Sequence, residues 1–220
     1  MSWLLESLNS SIGKKILMAV TGISLILFLV GHLSGNMALF ANDGGKSFNA
    51  YAEFLHHLPG LMVIEIILAS VFLLHILNAL RLWVENKKAR PVKYAVNASS
   101  KNSTIFSRTM VQTGSIILIF LIVHLKNFWY EYVILKSNDN LFEIVVETFK
   151  DPVYSGLYIL AMILLGFHLN HGFQSAFQTF GWNHKKYTPF INFLGAIYSI
   201  AMAVGFASMP IYFLFFYGGN

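Results

Sequence analysis

A chain of 220 residues that is 56% hydrophobic and only 11% charged, with a mean hydropathy of +0.60, excludes an ordinary soluble domain, in which about a quarter of the residues carry charge. The absence of cysteine excludes disulfides, thiolate zinc sites, iron–sulfur ligation and thiol nucleophiles, so any metal must be held by histidine, carboxylate or a cofactor. The formal net charge of +5 does not point to nucleic acid, because the basic residues cluster in connections beside apolar runs, which is a signature of membrane topology.

The chain opens on a short interfacial segment, Met1 to Ser11, with Trp3 at headgroup level and Lys14 and Lys15 as the anchor before the first span. The run from Ile16 to Phe40 has no charged residue, is long enough to cross a bilayer, and contains one imidazole, His32. It is too long for the apolar core of a secretory signal and is expected to stay as a spanning helix. Residues 41–58 begin with turn formers and continue with Phe48, Tyr51, Phe54 and Leu55 at helical spacing, a surface lid. The second span starts at Pro59, carries Glu65 and His75, and ends in Arg81, Trp83, Glu85, Lys87 and Lys88. A polar, basic connection from Ala89 to Ser107 follows.

The third span runs from about Thr109 past His124 into Phe128, Trp129, Tyr130 and Tyr132. An acidic connection, Lys136 to Asp151, is expected to hold an interfacial helix. Pro152 opens the fourth span, with His168 and His171, and the fifth runs from about Tyr187 to Tyr217, ahead of Gly218, Gly219 and Asn220. The predicted spans are 15–41, 59–85, 109–135, 152–182 and 187–217, within one all-α transmembrane domain covering residues 1–220. No soluble domain and no internal repeat is evident. Lys14, Lys15, Arg81, Lys87, Lys88, Arg90, Lys93, Lys101, Arg108, Lys185 and Lys186 share one side, against Lys46, Lys126, Lys136 and Lys150 on the other. The positive-inside rule then predicts a cytoplasmic N-terminus and an external C-terminus.

Each of the first four spans places one histidine sixteen or seventeen residues from its start. At 1.5 Å per residue that is about 24 Å into a core about 30 Å thick. Alternating span directions therefore put His32 with His124 near the outer face and His75 with His168 near the inner one. A single intramembrane imidazole is commonly hydrogen-bonded to a neighbouring helix. Four of them, one per span and paired by depth, suit bis-histidine ligation of two b-type hemes by facing helices. Gly31, Ser34, Gly35, Gly166 and Gly172 would let a macrocycle approach, although small residues also mark close helix packing. His171 competes with His168 as a ligand, or bonds a propionate or a loop. Arg81 is placed to meet the inner propionates, with Arg108 or Lys126 available elsewhere, and each also suits a snorkelling anchor. Glu65 is either an inert protonated carboxyl or the proton acceptor of a quinone pocket near the outer heme. His56, His57 and His184 are interfacial.

Several strings resemble the diheme cytochrome b membrane anchor of succinate:quinone oxidoreductases, the succinate dehydrogenase and fumarate reductase family: GHLSGN around His32, SFNAYAEFLHHLPG before the second span, HILNALR from His75 to Arg81, TG ahead of His124, and FHLNHGFQSAFQTFGW from Phe167 to Trp182. The resemblance covers nearly the whole chain. It implies five transmembrane helices, four of them a bundle enclosing two stacked hemes b. His32 and His124 would ligate the outer heme iron, and His75 and His168 the inner one. The spacing from His168 to Gly181 and Trp182 favours His168 over His171. It further implies an iron–sulfur subunit carrying a flavoprotein subunit on the cytoplasmic face of a bacterial inner membrane. Electrons would pass between succinate or fumarate and a membrane quinone, suited to menaquinone, in the respiratory chain and tricarboxylic acid cycle. The chain would then be an enzyme only as the membrane subunit of that complex. The family's acidic quinone-site residue corresponds to either Glu65 or Glu53. Rival readings are the cytochrome b anchor of another respiratory oxidoreductase, or a proton-coupled transporter or channel using the histidines and Glu65, for which broken helices around a midplane site are expected.

Overall fold

The structure, a computed structural model, describes residues 2–89 and 103–218, and among these it is built of helices and turns without strands. Arg90, Lys93 and Lys101 of the basic connection, and Gly219 and Asn220, lie outside the described residues. The helices are α1 (Ser2–Asn9), α2 (Ser11–Asn36, extended by a 3-10 turn, Met37–Phe40), α3 (Lys46–His56), α4 (Leu61–Lys88), α5 (Ile105–Arg108), α6 (Met110–His124), α7 (Leu141–Lys150), α8 (Pro152–Thr179) and α9 (Thr188–Phe215). Five are long and apolar enough to cross a membrane: 11–40, 61–88, 110–135, 152–179 and 188–215. The chain is therefore an all-helical, multi-pass membrane protein associated with a lipid bilayer.

The span ends have local causes. Ser10 caps α2 by accepting the amide of Gly13 at 3.0 Å. Asp151 caps α8 by accepting the amides of Val153 (2.7 Å) and Tyr154 (3.1 Å), with Pro152 in the first turn, where no donor is lost. The second span starts two residues later than predicted because Gly60, at φ 84°, turns left-handed and leaves Pro59 in the turn before it. The fourth span ends at Thr179, short of the predicted 182, in a Schellman motif. Gly181 sits at φ 81°, its amide bonds the Gln178 carbonyl, and the Trp182 amide reaches back to Phe177. After His124, α6 widens into a π-helical segment, Leu125–Leu135, which period-based reading of the sequence does not foresee.

Residue pairs fix the directions. Along α2, Lys14, Thr21 and Phe28 meet Glu85, His75 and Phe72 of α4 in reverse order. The same reversal holds for α6 against α8 (Gly114 with His168, Phe120 with Tyr158) and for α8 against α9 (Gly166 with Ala203, Phe173 with Tyr198). The bundle thus has a near end, where α2 begins, and a far end, where α2 stops and α4 begins. The described near end carries Lys14, Lys15, Arg81, Lys87, Lys88, Arg108, Lys185 and Lys186 with only Glu6 and Glu85, whereas the other eight carboxylates lie toward the far end.

The far end is the better packed. Surface helices α3 and α7 lie across it, joined where Asn49 Nδ2 donates to Asn140 Oδ1 (2.6 Å) and Asn49 Oδ1 accepts the Phe142 amide (3.0 Å). Beneath them Leu39, Phe48, Phe142, Val145, Phe149, Tyr158, Met209 and Phe213 form one core cluster. A second cluster, Ile26, Ala161, Met162, Leu165, Leu169 and Met202, fills the middle of the bundle. The near end is tied by polar contacts. Lys14, predicted to be an interfacial anchor, is instead 8% exposed and ion-paired with Glu85, while its carbonyl accepts from buried Asn78 (2.8 Å).

Candidate functional site

The four deep histidines stand in two pairs. The rings of His32 (α2) and His124 (α6) are 5.8 Å apart between centroids, and those of His75 (α4) and His168 (α8) are 6.4 Å apart. The far pair and the near pair are about 16 Å apart along the axis, since Thr21, which touches His75, and His32 are eleven residues apart on one helix. Two imidazoles on opposite sides of one metal, at about 2 Å per metal–nitrogen bond and about 1 Å from each nitrogen to its ring centre, lie about 6 Å apart. Both pairs match that spacing. Among the described residues no three histidine or acidic side chains come together as a metal centre, so a metal between either pair would need its remaining ligands from a cofactor.

The polar atoms of the four rings are satisfied unequally. Nδ1 of His124 and Nδ1 of His168 are buried without a hydrogen-bond partner, an arrangement a folded interior rarely retains. His75 differs: its Nδ1 lies 3.2 Å from Thr21 Oγ1, whose own proton is directed at the carbonyl of Leu17 (2.7 Å) or Met18 (3.1 Å). By the spacing of their rings, the residues present fit a group that takes one imidazole on each side at two levels.

Aromatic rings line the far pair. Phe28 stacks on His32 at 5.3 Å, Phe206 approaches the same ring at 5.6 Å, and Phe120, Phe128 and Tyr158 surround His124 at 5.6, 5.2 and 6.2 Å. Beside His124, Asn127 Nδ2 and the Tyr158 hydroxyl are also buried and unpaired, and these two side chains adjoin without reaching hydrogen-bond geometry. Sequence reading missed both, since Asn127 falls inside an aromatic run and Tyr158 reads as one more apolar position.

The other predicted site residues are placed as follows. His171 is half-buried one turn beyond His168, and the ring that faces His75 is that of His168. Arg81 is engaged by Glu85 Oε1 (3.0 Å) and Asn9 Oδ1 (2.7 Å) at the near end. Arg108 is exposed and donates to the Ser103 carbonyl. Glu65 lies ten residues before His75 and so at the height of the far pair, but ten residues turn it about 80° from the histidine face, and its side chain is exposed on the outside of α4. Glu53 is exposed on α3. His56 and His57 form a ring pair at the end of α3, and His184 packs on Tyr187 in the turn between α8 and α9.

Of the small residues flanking the histidines, Gly35 is packed by the Tyr51 ring and Gly166 by Ala203 and the Ser199 carbonyl, so both serve helix contacts. The glycines beside the imidazoles are others. A Cβ on Gly22 would lie 3.7 Å from His75, and one on Gly114 3.4 Å from His168. They expose a repeat that the sequence reading did not register: TGISLILFLVGH (21–32) in α2 and TGSIILIFLIVH (113–124) in α6 share Thr, Gly, Phe and His in register. Eleven residues make about three turns, which aligns Thr and His on one face at the two levels.

No protein-family model, characterised protein or solved structure matches this chain.

Proposed function

We propose that this chain is a diheme cytochrome b membrane anchor of a succinate dehydrogenase or fumarate reductase complex. The observation that carries the reading is the double pairing: two histidine pairs at two depths, 5.8 and 6.4 Å apart, one imidazole from each of four spans. When bound, two hemes b would supply one-electron carriers between a soluble partner at one membrane face and a quinone in the bilayer. In this reading His75 and His168 hold the inner iron and His32 and His124 the outer one. Asn127 and Tyr158 offer donors beside the far pair to a carbonyl or carboxylate oxygen, whether of quinone or of propionate.

The charge asymmetry supports the orientation. The basic near end would face the cytoplasm of a bacterial inner membrane and receive the iron–sulfur subunit with its flavoprotein, which leaves the acidic far end outside. Menaquinone chemistry would sit at that far side, with Glu65 or Glu53 as the acid to take up protons. Arg81 would answer the inner propionates only by leaving Glu85 and Asn9.

The deciding experiment is a dithionite-reduced minus oxidised visible spectrum of the purified membrane complex, with heme quantified per chain and partner subunits read from a gel. Two b-type hemes per chain with two soluble subunits is the expected result. Two hemes with hydrogenase or formate dehydrogenase partners would move the chain to another respiratory anchor. No heme would end the cytochrome reading in favour of a proton-coupled transporter.

A further inference from the structure

We propose that Thr21 is a positioning residue for the near pair: its hydroxyl fixes His75 in the tautomer that carries hydrogen on Nδ1 and leaves the Nε2 lone pair for a metal. The inference rests on the diheme reading and adds a residue to it. A hydroxyl has one proton and two lone pairs. The proton of Thr21 is committed to the carbonyls of its own helix, Leu17 at 2.7 Å and Met18 at 3.1 Å, so only lone pairs remain toward His75. The contact of 3.2 Å is then an Nδ1–H donating to Thr21 Oγ1. Thr21 is 4% exposed, so water does not compete for the bond.

The repeat supplies an internal control. Thr113 occupies the corresponding position in α6 and is 3% exposed, with its hydroxyl bonded to the carbonyls of Thr109 (3.0 Å) and Met110 (3.1 Å). Its neighbour Gly114 adjoins His168, yet His168 Nδ1 has no hydrogen-bond partner. The two threonines thus share sequence context, burial and backbone bonding, and differ in whether the oxygen meets an imidazole. A partner that accepts from the outer nitrogen of a ligating histidine orients the ring and raises its basicity, and its loss typically costs 10–100-fold in metal affinity. A more basic ligand favours the ferric state, so removing the acceptor raises the reduction potential. A tenfold change in ferric over ferrous preference corresponds to about 59 mV for one electron.

The test compares wild-type complex with Thr21→Val, Thr21→Ser and Thr113→Val by heme content, potentiometric titration and the EPR of the oxidised hemes, the near-end signal being the one absent from His168→Ala. Thr21→Val is expected to lose the near-end heme or raise its potential and shift its EPR signal, Thr21→Ser to keep wild-type values, and Thr113→Val to leave the near-end potential in place. Unchanged near-end properties in Thr21→Val would overturn the proposal. So would equal shifts in Thr113→Val, or loss of the near-end heme from Thr21→Ser, since each points to packing rather than the hydroxyl. A wild-type complex without heme would sink the diheme reading together with this one, whereas two wild-type hemes and an unmoved Thr21→Val sink this one alone.

Discussion

The two histidine pairs have nearly the same spacing and different surroundings. The near pair lies between α4 and α8, with one imidazole bonded to Thr21 and glycines against both rings. The far pair lies between α2 and α6 under a roof of aromatic side chains, and beside it sit two buried polar groups without partners, Asn127 Nδ2 and the Tyr158 hydroxyl. Within the near pair the two helices also differ: α8 is the more deeply buried, whereas α4 packs chiefly along α2. The near pair is thus set by a hydrogen bond and a polar clamp, the far pair by packing. One chemical arrangement is held by two kinds of force.

The sharpest way to break the comparison is to remove one imidazole at a time. If the chain binds two hemes as proposed, His32→Ala or His124→Ala is expected to abolish one heme signal and His75→Ala or His168→Ala the other, each halving the heme per chain. His171→Ala should retain both, because His168 is the ring facing His75. Loss of the near-end heme from His171→Ala in place of His168→Ala would reverse the assignment on α8.

Next in size is Tyr158→Phe. An unpaired buried hydroxyl costs stability, so its removal from the heme-free chain should be neutral or stabilising. If a carbonyl or carboxylate accepts from it in the loaded complex, the same substitution costs about 1–3 kcal/mol of that group's binding. Heme retention and quinone affinity measured on Tyr158→Phe therefore show whether the far-end polar cluster serves a ligand, and no change in either would assign it to packing alone.

The clamp at the near end makes a smaller prediction. Lys14 is buried and faces Glu85, which also receives Arg81. Removing Glu85 leaves the buried Lys14 ammonium without its ion-pair partner. Glu85→Ala should lower the thermal midpoint of the complex more than Lys15→Ala, which loses an exposed cation. Equal midpoints for the two variants would mean that the ion pair is a solvated surface contact.

The spans and the height of each histidine were legible because both follow from helix rise and the length of an apolar run. His32 and His124 could be matched by counting from Lys15 and Arg108, with no knowledge of side-chain direction. What counting misses is rotation. Glu65 was legible as a carboxylate at the right height but not as one turned to the outside, because ten residues are not a whole number of turns. Gly35 and Gly166, adjacent to the histidine motifs, turned out to serve packing, whereas Gly22 and Gly114 reach the imidazoles from a neighbouring helix. The period that would have found them, Thr-Gly then His ten residues after the glycine, is a three-turn repeat within a helix and too short to register as a repeat of a domain. Lys14 reads as an anchor from its place beside Lys15, and only the packing of α4 reveals its partner.

The smallest expected effect lies at the entrance to the far-end roof and sharpens the contrast from the outside. Asp43 caps α3: its Oδ2 accepts the Ser47 amide (2.9 Å) and the Ser47 hydroxyl (2.5 Å), and its Oδ1 accepts the Gly45 amide (3.1 Å). The Ser47 hydroxyl, followed by these amides, holds the carboxyl below its ordinary value of 3.8. A depressed value in the folded state means that the cap's contribution is fully present above the unfolded value and is lost as pH falls through the lower folded one. The protection of the amides in residues 46–50, taken relative to an unstructured chain at the same pH, should therefore fall on acidification below about pH 4. Asp43→Asn should make that relative protection independent of pH in that range. If wild type and Asp43→Asn respond to acid alike, the carboxylate is not what holds the start of α3.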